Sequence, residues 1–521
     1  MSILVSDWLV FHADRTPEKI ALIDQHSGKQ LTYAEFNERA TRLATYLRDE
    51  WSITQGDRVA ILAKNSVHYF EFEFACFKLG AIMLPLNWRL AEPELVYIVS
   101  DAEAKGIVYD AEFADRIPTL RQQAGIQYQL RLDIEGTADD GAPKLRGSHQ
   151  VIPPHLSQCP KQLTMILSVQ LCIPAGTTGR PKGALITQGM TFWNAANISI
   201  PTGLNKDSVF YCVLPTFHTA GLNLYVNPII HHGGTSIIAR NFDAGTALET
   251  LSSSELGVTH FFGVPAIYLF MSQHENFADT DLSNIQSWGC GGAPMPVALL
   301  ETYRKRGIIV QTGFGMTETS PTVFLADKRR AIEKPASVGK PLLHTRVKIV
   351  DENFQEVPPN TVGEVVIAGP NITPGYWKRP DANESSFTID ENGIRWLHSG
   401  DAGMTDEEGC IYIVDRYKDM YISGGENVYP AEVEQVIFHV EGVADVAVIG
   451  VPDERWGESG LAVVVKAKNS QVTEETIIES CRKNLAKYKV PKRVVFVDEL
   501  PRNAAGKVLK RVLREQFVQQ H

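Results

Sequence analysis

Short apolar runs alternate with helix-periodic stretches through the first half of the chain, and that alternation admits few architectures. Thr32-Tyr33-Ala34-Glu35 has the spacing of a capping box, in which hydroxyl and carboxylate satisfy each other's backbone N–H groups. Behind it Phe36, Ala40, Leu43, Ala44 and Leu47 fall on one helical face. The turn Gln55-Gly56-Asp57 leads to the strand-like Val59-Ala60-Ile61-Leu62. A second helix-like stretch, Tyr69 to Leu79, leads into Ala81-Ile82-Met83-Leu84-Pro85-Leu86. The pattern recurs at Ser208–Leu214, Thr235–Ala239 and Val258–Phe262. Strands joined by helical crossovers lie parallel, with helices on both faces of the sheet.

Past Lys340 the texture changes. Arg346–Val350, Gly363–Ile367 and Ile411–Val414 are short strand signals separated by Gly, Pro and Asn, the pattern of a small barrel. Asp415 to Tyr429 is rich in glycine and charge. A compact α+β tail follows, whose helix carries Ile477, Ile478, Cys481 and Leu485 on one face and ends before Pro491. At 521 residues the chain exceeds one ordinary core. The expected fold is α/β: a large N-terminal domain of doubly wound sheets with a small β-barrel subdomain (1–416), and a small mobile α+β C-terminal domain (417–521). A hinge is expected near Arg416 to Lys418.

Hydrophobic residues make up 44% and charged residues 21%, as in globular proteins. The net charge of −11 argues against a broad nucleic-acid surface, so an anionic ligand must be met by local lysines and arginines. Seven cysteines lack C-x-x-C spacing, which points to free thiols in a reducing compartment and a cytoplasmic location. No secretory leader is visible. No apolar run reaches the roughly 18 residues of a membrane span, so no transmembrane segment is expected.

The stretch Pro174-Ala175-Gly176-Thr177-Thr178-Gly179-Arg180-Pro181-Lys182-Gly183 combines glycines, adjacent hydroxyls and a lysine. Glycine lets backbone N–H groups approach a ligand, and hydroxyls and ammonium add donors and charge, a kit for holding a polyphosphate. It is not a Walker A loop, because Pro181 precedes the lysine and Gly183 follows it. Read alone, the same composition also describes an ordinary surface loop.

With six further motifs in order, the chain resembles the adenylate-forming enzymes along nearly its whole length. That family includes acyl-CoA synthetases, firefly luciferases and the adenylation domains of peptide synthetases. The motifs are Pro215-Thr216-Phe217-His218, Gly291-Gly292-Ala293-Pro294, Gly313-Phe314-Gly315-Met316-Thr317-Glu318, Ser399-Gly400-Asp401, Asp415-Arg416-Tyr417-Lys418-Asp419, and Pro501-Arg502-Asn503-Ala504-Ala505-Gly506-Lys507.

The resemblance implies ATP, Mg²⁺ and CoA as co-substrates or cofactor, and a small-molecule carboxylic acid as substrate. It implies that Thr177, Thr178, Gly179 and Lys182 surround the departing pyrophosphate, that Glu318, with Thr177, holds Mg²⁺, and that Thr317 touches the α-phosphate. Adenine would lie against Gly291, Gly292, Ala293 and Pro294, with Thr312, Gly313 and Phe314 alongside. Asp401 would accept from the ribose hydroxyls, with Arg416 as a second contact. Lys507 would be the catalytic cation, although read alone it is an ordinary lysine of a basic tail. Lys418 matches the hinge, and Ser423, Gly424 and Gly425 the pantetheine channel. His218, Trp193, Phe262, Gly263 and Val264 are candidates for the acyl site, although the aromatic and apolar ones read alone are core residues. A homodimer is compatible with the resemblance.

The chain departs from the family pattern in three places. Pro174-Ala175 stands where Thr-Ser is usual, Thr312 replaces a usual glutamine, and Gln188 stands where histidine is common. The expected function is that of an AMP-forming acyl-CoA synthetase acting on a medium- or long-chain fatty acid or a hydroxycinnamate-type aryl acid. The alternatives are a stand-alone adenylating enzyme that loads a carrier protein, and a catalytically impaired nucleotide-binding homologue.

Overall fold

The structure, a computed structural model, describes residues 6–132, 164–169, 182–416, 419–423, 426–453, 456–502 and 508–518. The capping box forms as its spacing predicts. Thr32 N–H donates to Glu35 Oε2 at 2.9 Å and Glu35 N–H to Thr32 Oγ1 at 3.2 Å, opening the helix Tyr33–Trp51. Its face Phe36, Ala40, Leu43, Ala44 and Leu47 is buried against the helix Val67–Leu79.

Two parallel sheets follow from the alternating pattern. The larger runs Thr322–Leu325, Val310–Gly315, Ser287–Cys290, His260–Gly263, Val209–Cys212, Thr235–Ile238, Ile20–Asp24, Gln30–Thr32 in spatial order. Its six inner strands are parallel and its two edge strands antiparallel. The smaller is all-parallel: Ile82–Pro85, Arg58–Leu62, Gly106–Asp110, Tyr128–Leu132. The run read as Val258–Phe262 forms the strand His260–Gly263, and Thr259 just before it already bonds Val209: Val209 N–H donates to Thr259 Oγ1 at 2.8 Å and Thr259 N–H to the Val209 carbonyl at 2.9 Å.

The glycine-punctuated region is an antiparallel half-barrel sheet. Arg346–Val350, Gly363–Ala368, Arg395–Thr405 and Phe387–Ile389 pair in that order, with Ile411–Arg416 on the long third strand. The C-terminal sheet is built on the hairpin Val443–Asp453 and Gly457–Lys466, joined by Tyr421–Ser423, Glu426–Val428 and Arg493–Val497. Strand periodicity sorts its side chains. Val446, Val448, Ala462 and Val464 pack on the helices Pro430–Phe438 and Glu474–Asn484, while Ala447, Ile449, Leu461 and Val463 pack on Leu500 and Leu513. The second helix stops at Asn484, with Leu485 at its C-cap still packed on the same core.

Lys510 is not a solvated tail lysine. Its ammonium lies 2.8 Å from Glu434 and 3.9 Å from Asp415, the latter on the last strand of the half-barrel. Asp415 Oδ2 also accepts from Ala431 N–H at 2.9 Å, at the start of the helix Pro430–Phe438. The five cysteines among the described residues are free and buried; Cys159 and Cys172 lie outside them. Among the described residues no helix is long and apolar enough to cross a membrane.

One buried carboxyl makes stability depend on pH. Glu73, in the helix Val67–Leu79, is 5% exposed and accepts from Asn227 Nδ2 at 2.7 Å. Burial pushes it up to about 8. The folded state therefore keeps a proton that the unfolded chain releases near 4.5. Stability is fully present below that value and lost as pH rises toward 8. Glu73→Gln keeps the acceptor and has no proton to lose. Its thermal midpoint relative to wild type is expected to rise by a few degrees between pH 5 and pH 9; melting curves across that range check it.

Candidate active site

In an α/β sheet, ligands bind beyond the carboxyl ends of parallel strands. Four neighbouring strands of the larger sheet end in sequence motifs. Val209–Cys212 leads to Pro215–His218, His260–Gly263 to Val264, and Ser287–Cys290 to Gly291–Pro294. Val310–Gly315 leads to Met316–Glu318. Adjacency in the sheet gathers residues that the sequence keeps a hundred positions apart.

The loop after Cys212 is pinned by a residue with no motif of its own. Asn65 is buried and donates to the carbonyls of Leu214 (2.8 Å) and Ala239 (3.0 Å). Its Oδ1 accepts from Thr216 N–H (2.8 Å) and Thr216 Oγ1 (3.0 Å). His218 follows. Its Nδ1 accepts from Ala220 N–H at 3.2 Å, which leaves the proton on Nε2. Burial lowers its pKa to about 4, so the ring is a neutral donor near neutrality.

Phe262 lies over Gly289 and Gly291. A Cβ at Gly291 would stand 3.1 Å from Phe262 Cζ and 3.1 Å from the Gly313 carbonyl. A side chain there would press on neighbours inside the chain, apart from any need to seat a flat ligand. Gly313 and Phe314 pair with the antiparallel edge strand, and Phe314 packs on Phe324 at 5.9 Å. The Thr312 hydroxyl donates to the Ser337 carbonyl at 2.8 Å, and Ser337 Oγ donates to the Ile411 carbonyl at 2.8 Å. This relay ties the strand Val310–Gly315 to the half-barrel. The next strand positions the ribose candidates: Asp401, 3% exposed, is the cross-strand partner of Arg416, and its N–H donates to Ser399 Oγ at 3.0 Å.

Thr317 and Glu318 occupy a short 3₁₀ turn whose backbone is held from outside. Thr373 N–H donates to the Glu318 carbonyl at 2.8 Å. Asn371 Nδ2 donates to the carbonyls of Thr319 (3.0 Å) and Thr322 (3.1 Å). The Glu318 carboxylate is buried and accepts from the Tyr376 hydroxyl at 2.8 Å on Oε1. Lys182, at the start of the strand Lys182–Thr187, has its ammonium 5.6 Å from the Tyr376 ring centroid. Lys182 and Glu318, read from separate motifs, therefore meet at one tyrosine.

Among the described residues no cluster of three or more His, Cys, Asp or Glu side chains could enclose a metal. A single buried carboxylate suits Mg²⁺, which binds through one or two carboxylates and takes its other oxygens from phosphates and water.

The acyl candidates divide. Phe262 packs on Tyr225 at 6.0 Å, whereas Trp193, on the helix Gln188–Thr202, packs edge-on against His344 at 4.7 Å and against Phe192. Ser423 lies in the C-terminal sheet and lines a cavity of about 480 Å³ with Trp456, Tyr488, Arg482, Lys487 and Lys492. Thr177, Thr178, Gly179, Lys418, Gly424, Gly425 and Lys507 lie outside the described residues, as do the side chain of Arg416 and the loop carrying Pro174-Ala175.

Asn65, Asn371, Thr373 and Tyr376 were not legible as site residues. Isolated polar residues carry no periodicity, and only the fold shows which carbonyls they serve.

A buried carboxylate and an ammonium brought to one tyrosine mark a candidate site for a charged ligand. Comparison with known proteins specifies it. The model of the AMP-binding enzyme family matches residues 10–377, and that of the AMP-binding enzyme C-terminal domain matches 432–507. The chain belongs to the AMP-binding enzyme family. It is 39% identical over 513 residues to the feruloyl-CoA synthase of an Amycolatopsis species, covering 98% of this chain and 99% of that one. It is 37% identical over 508 residues to the long-chain-fatty-acid–CoA ligase FadD13 of Mycobacterium tuberculosis, covering 96% of each. Among solved structures it superposes on the o-succinylbenzoate coenzyme A synthetase of Bacillus subtilis in complex with ATP and magnesium ion. The TM-score is 0.82 at 30% identity, over 98% of this chain and 99% of that one.

The Asn65 clamp can be tested. Asn65→Ala removes the partner of the Thr216 N–H and of the Ala239 carbonyl, and leaves the Leu214 carbonyl only the Cys212 thiol at 3.7 Å. It is expected to lower stability by about 1–3 kcal/mol and to raise KM for the acid more than KM for ATP; urea unfolding and steady-state kinetics check both.

Proposed function

We propose that this chain is an AMP-forming acid–CoA ligase whose nucleotide end is built around Glu318 and Lys182. The convergence of those two residues at Tyr376 is the observation that carries the site assignment. A carboxylate is a poor electrophile, and two anions must meet to activate it. Groups of positive charge placed where negative charge develops therefore dominate the chemistry.

In the first step a carboxylate oxygen of the acid attacks the α-phosphorus of ATP. The bond to the β-phosphate bridge breaks and pyrophosphate leaves. Glu318, with Thr177, would hold Mg²⁺, which would supply charge neutralisation at the phosphates. Lys182, Thr177, Thr178 and Gly179 hold the departing pyrophosphate, Thr317 touches the α-phosphate, and Lys507 bridges carboxylate and α-phosphate. Gly291 to Pro294 with Thr312, Gly313 and Phe314 take the base, and Asp401 with Arg416 takes the ribose. His218, neutral with its proton on Nε2, offers a hydrogen bond beside the acyl carboxylate. In the second step the CoA sulfur attacks the acyl carbonyl, the thiol proton is released, and the C–O bond to AMP breaks. The cations Arg482, Lys487 and Lys492 at the cavity beside Ser423 support CoA phosphates as the group bound there, with Gly424 and Gly425 along the pantetheine arm.

The acid is a fatty acid or a hydroxycinnamate-type aryl acid. Relatives named for ferulate and for long-chain fatty acids support that range. Trp193, Phe262, Gly263 and Val264 are the proposed acyl contacts. The boundary between the large body and the small mobile one is placed at 416/417, with Lys418 as pivot. Five free buried thiols support a cytoplasmic location. The proposal extends to a homodimer, which light scattering of the purified protein checks.

Carboxylate-dependent ATP–pyrophosphate exchange across fatty, aryl and short-chain acids tests the function. Exchange is expected with a fatty or an aryl acid, followed by thioester formation with CoA; a protein inert toward the whole panel would refute the activity. Lys507→Ala is expected to abolish adenylation and largely spare thioester formation from a supplied acyl-adenylate. Equal loss in both half-reactions would remove Lys507 from its role.

A further inference from the structure

We propose that Tyr376 is a positioning residue for magnesium: its hydroxyl orients the Glu318 carboxylate, and its backbone locks that carboxylate to the strand carrying Lys182. The inference rests on the reading of Glu318 as the metal-holding residue and adds the device that aims it.

The geometry has three parts. First, the Tyr376 hydroxyl donates to Glu318 Oε1 at 2.8 Å, with Tyr376 5% and Glu318 2% exposed. A tyrosine phenol is a neutral donor at neutral pH. A neutral donor fixes a carboxylate's rotation without cancelling its charge, whereas a guanidinium would compete with a cation. Second, the segment around Tyr376 is stitched to the strand Lys182–Thr187. Leu185 N–H donates to the Gly375 carbonyl at 3.0 Å and Trp377 N–H to the Gly183 carbonyl at 2.8 Å, either side of an Ala184–Tyr376 bridge. The Thr373 hydroxyl adds a bond to the Leu185 carbonyl at 2.7 Å. Third, the segment is fastened away from the site. Tyr376 N–H donates to Asn383 Oδ1 at 2.7 Å, and Trp377 Nε1 donates to the Asp101 carbonyl at 3.2 Å.

One short segment thus fixes the distance between a pyrophosphate-side lysine and a metal-side carboxylate. Mg²⁺ tolerates little deviation from octahedral geometry, so a carboxylate that rotates freely binds it less well. A second shell of this kind is worth roughly 10- to 100-fold in metal affinity.

The test uses full-length Tyr376→Phe, which keeps the ring beside Lys182 and removes the hydroxyl. Mn²⁺ affinity is read by electron paramagnetic resonance in the presence of α,β-methylene-ATP, with Glu318→Gln as the reference. The apparent Mn²⁺ Kd of Tyr376→Phe is expected to weaken by about tenfold. Calorimetric AMP binding, which needs no bridging cation, is expected to move less than about twofold. If Glu318→Gln loses Mn²⁺ and Tyr376→Phe does not, the positioning role is overturned and the assignment of Glu318 stands. If neither variant changes Mn²⁺ affinity, the assignment of Glu318 falls and the inference with it. Should Tyr376→Phe fail to fold, Asn383→Ala, which frees the Tyr376 backbone, is read the same way: a weakened Mn²⁺ Kd supports the role and an unchanged one overturns it.

Discussion

The site depends on how one buried turn satisfies its carbonyls. Residues 316–322 leave the larger sheet at its carboxyl end and turn back inside the protein, where backbone groups must find partners. Donors inside the turn meet the carbonyls of Met316, Thr317 and Pro321, and a distant segment serves others. Asn371 covers Thr319 and Thr322, and Thr373 covers Glu318. Without those bonds Glu318 would sit on an unsupported loop. With them it sits on a backbone fixed from two sides, and its side chain inherits that rigidity.

The same economy appears elsewhere around the site. Asn65 serves four groups of the Leu214–Thr216 and Ala239 backbone and side chains, and the Thr312–Ser337–Ile411 relay joins the sheet to the half-barrel. Each of these side chains is uncharged. They hold geometry without adding charge of their own.

Much of the fold was legible in the chain because periodicity reports burial. The capping box at Thr32, the apolar face from Phe36 to Leu47, and the alternating Val and Ile of the later strands all follow from local spacing. The strand at His260 was legible but not its ends, because Thr259 serves Val209 with both hydroxyl and backbone and hydropathy records neither bond. Ordered motifs gave the identities of Glu318, Lys182, Asp401 and His218, but not their convergence, which depends on strand order. Tyr376 and Asn371 were invisible for the same reason. The pairing of Lys510 was equally hidden, since its partners Glu434 and Asp415 lie far upstream.

That lysine's setting bears on motion. Asp415 precedes the proposed pivot, yet its carboxylate holds the first turn of a helix beyond it and faces Lys510 near the chain's far end. Swinging the small body about residue 418 must therefore either carry Asp415 along or strip a helix of its N-terminal anchor. An anchor of that kind is worth about 1 kcal/mol. A swing about that pivot would then have to pass a discrete latch at the joint itself, made of largely buried groups that salt screens little.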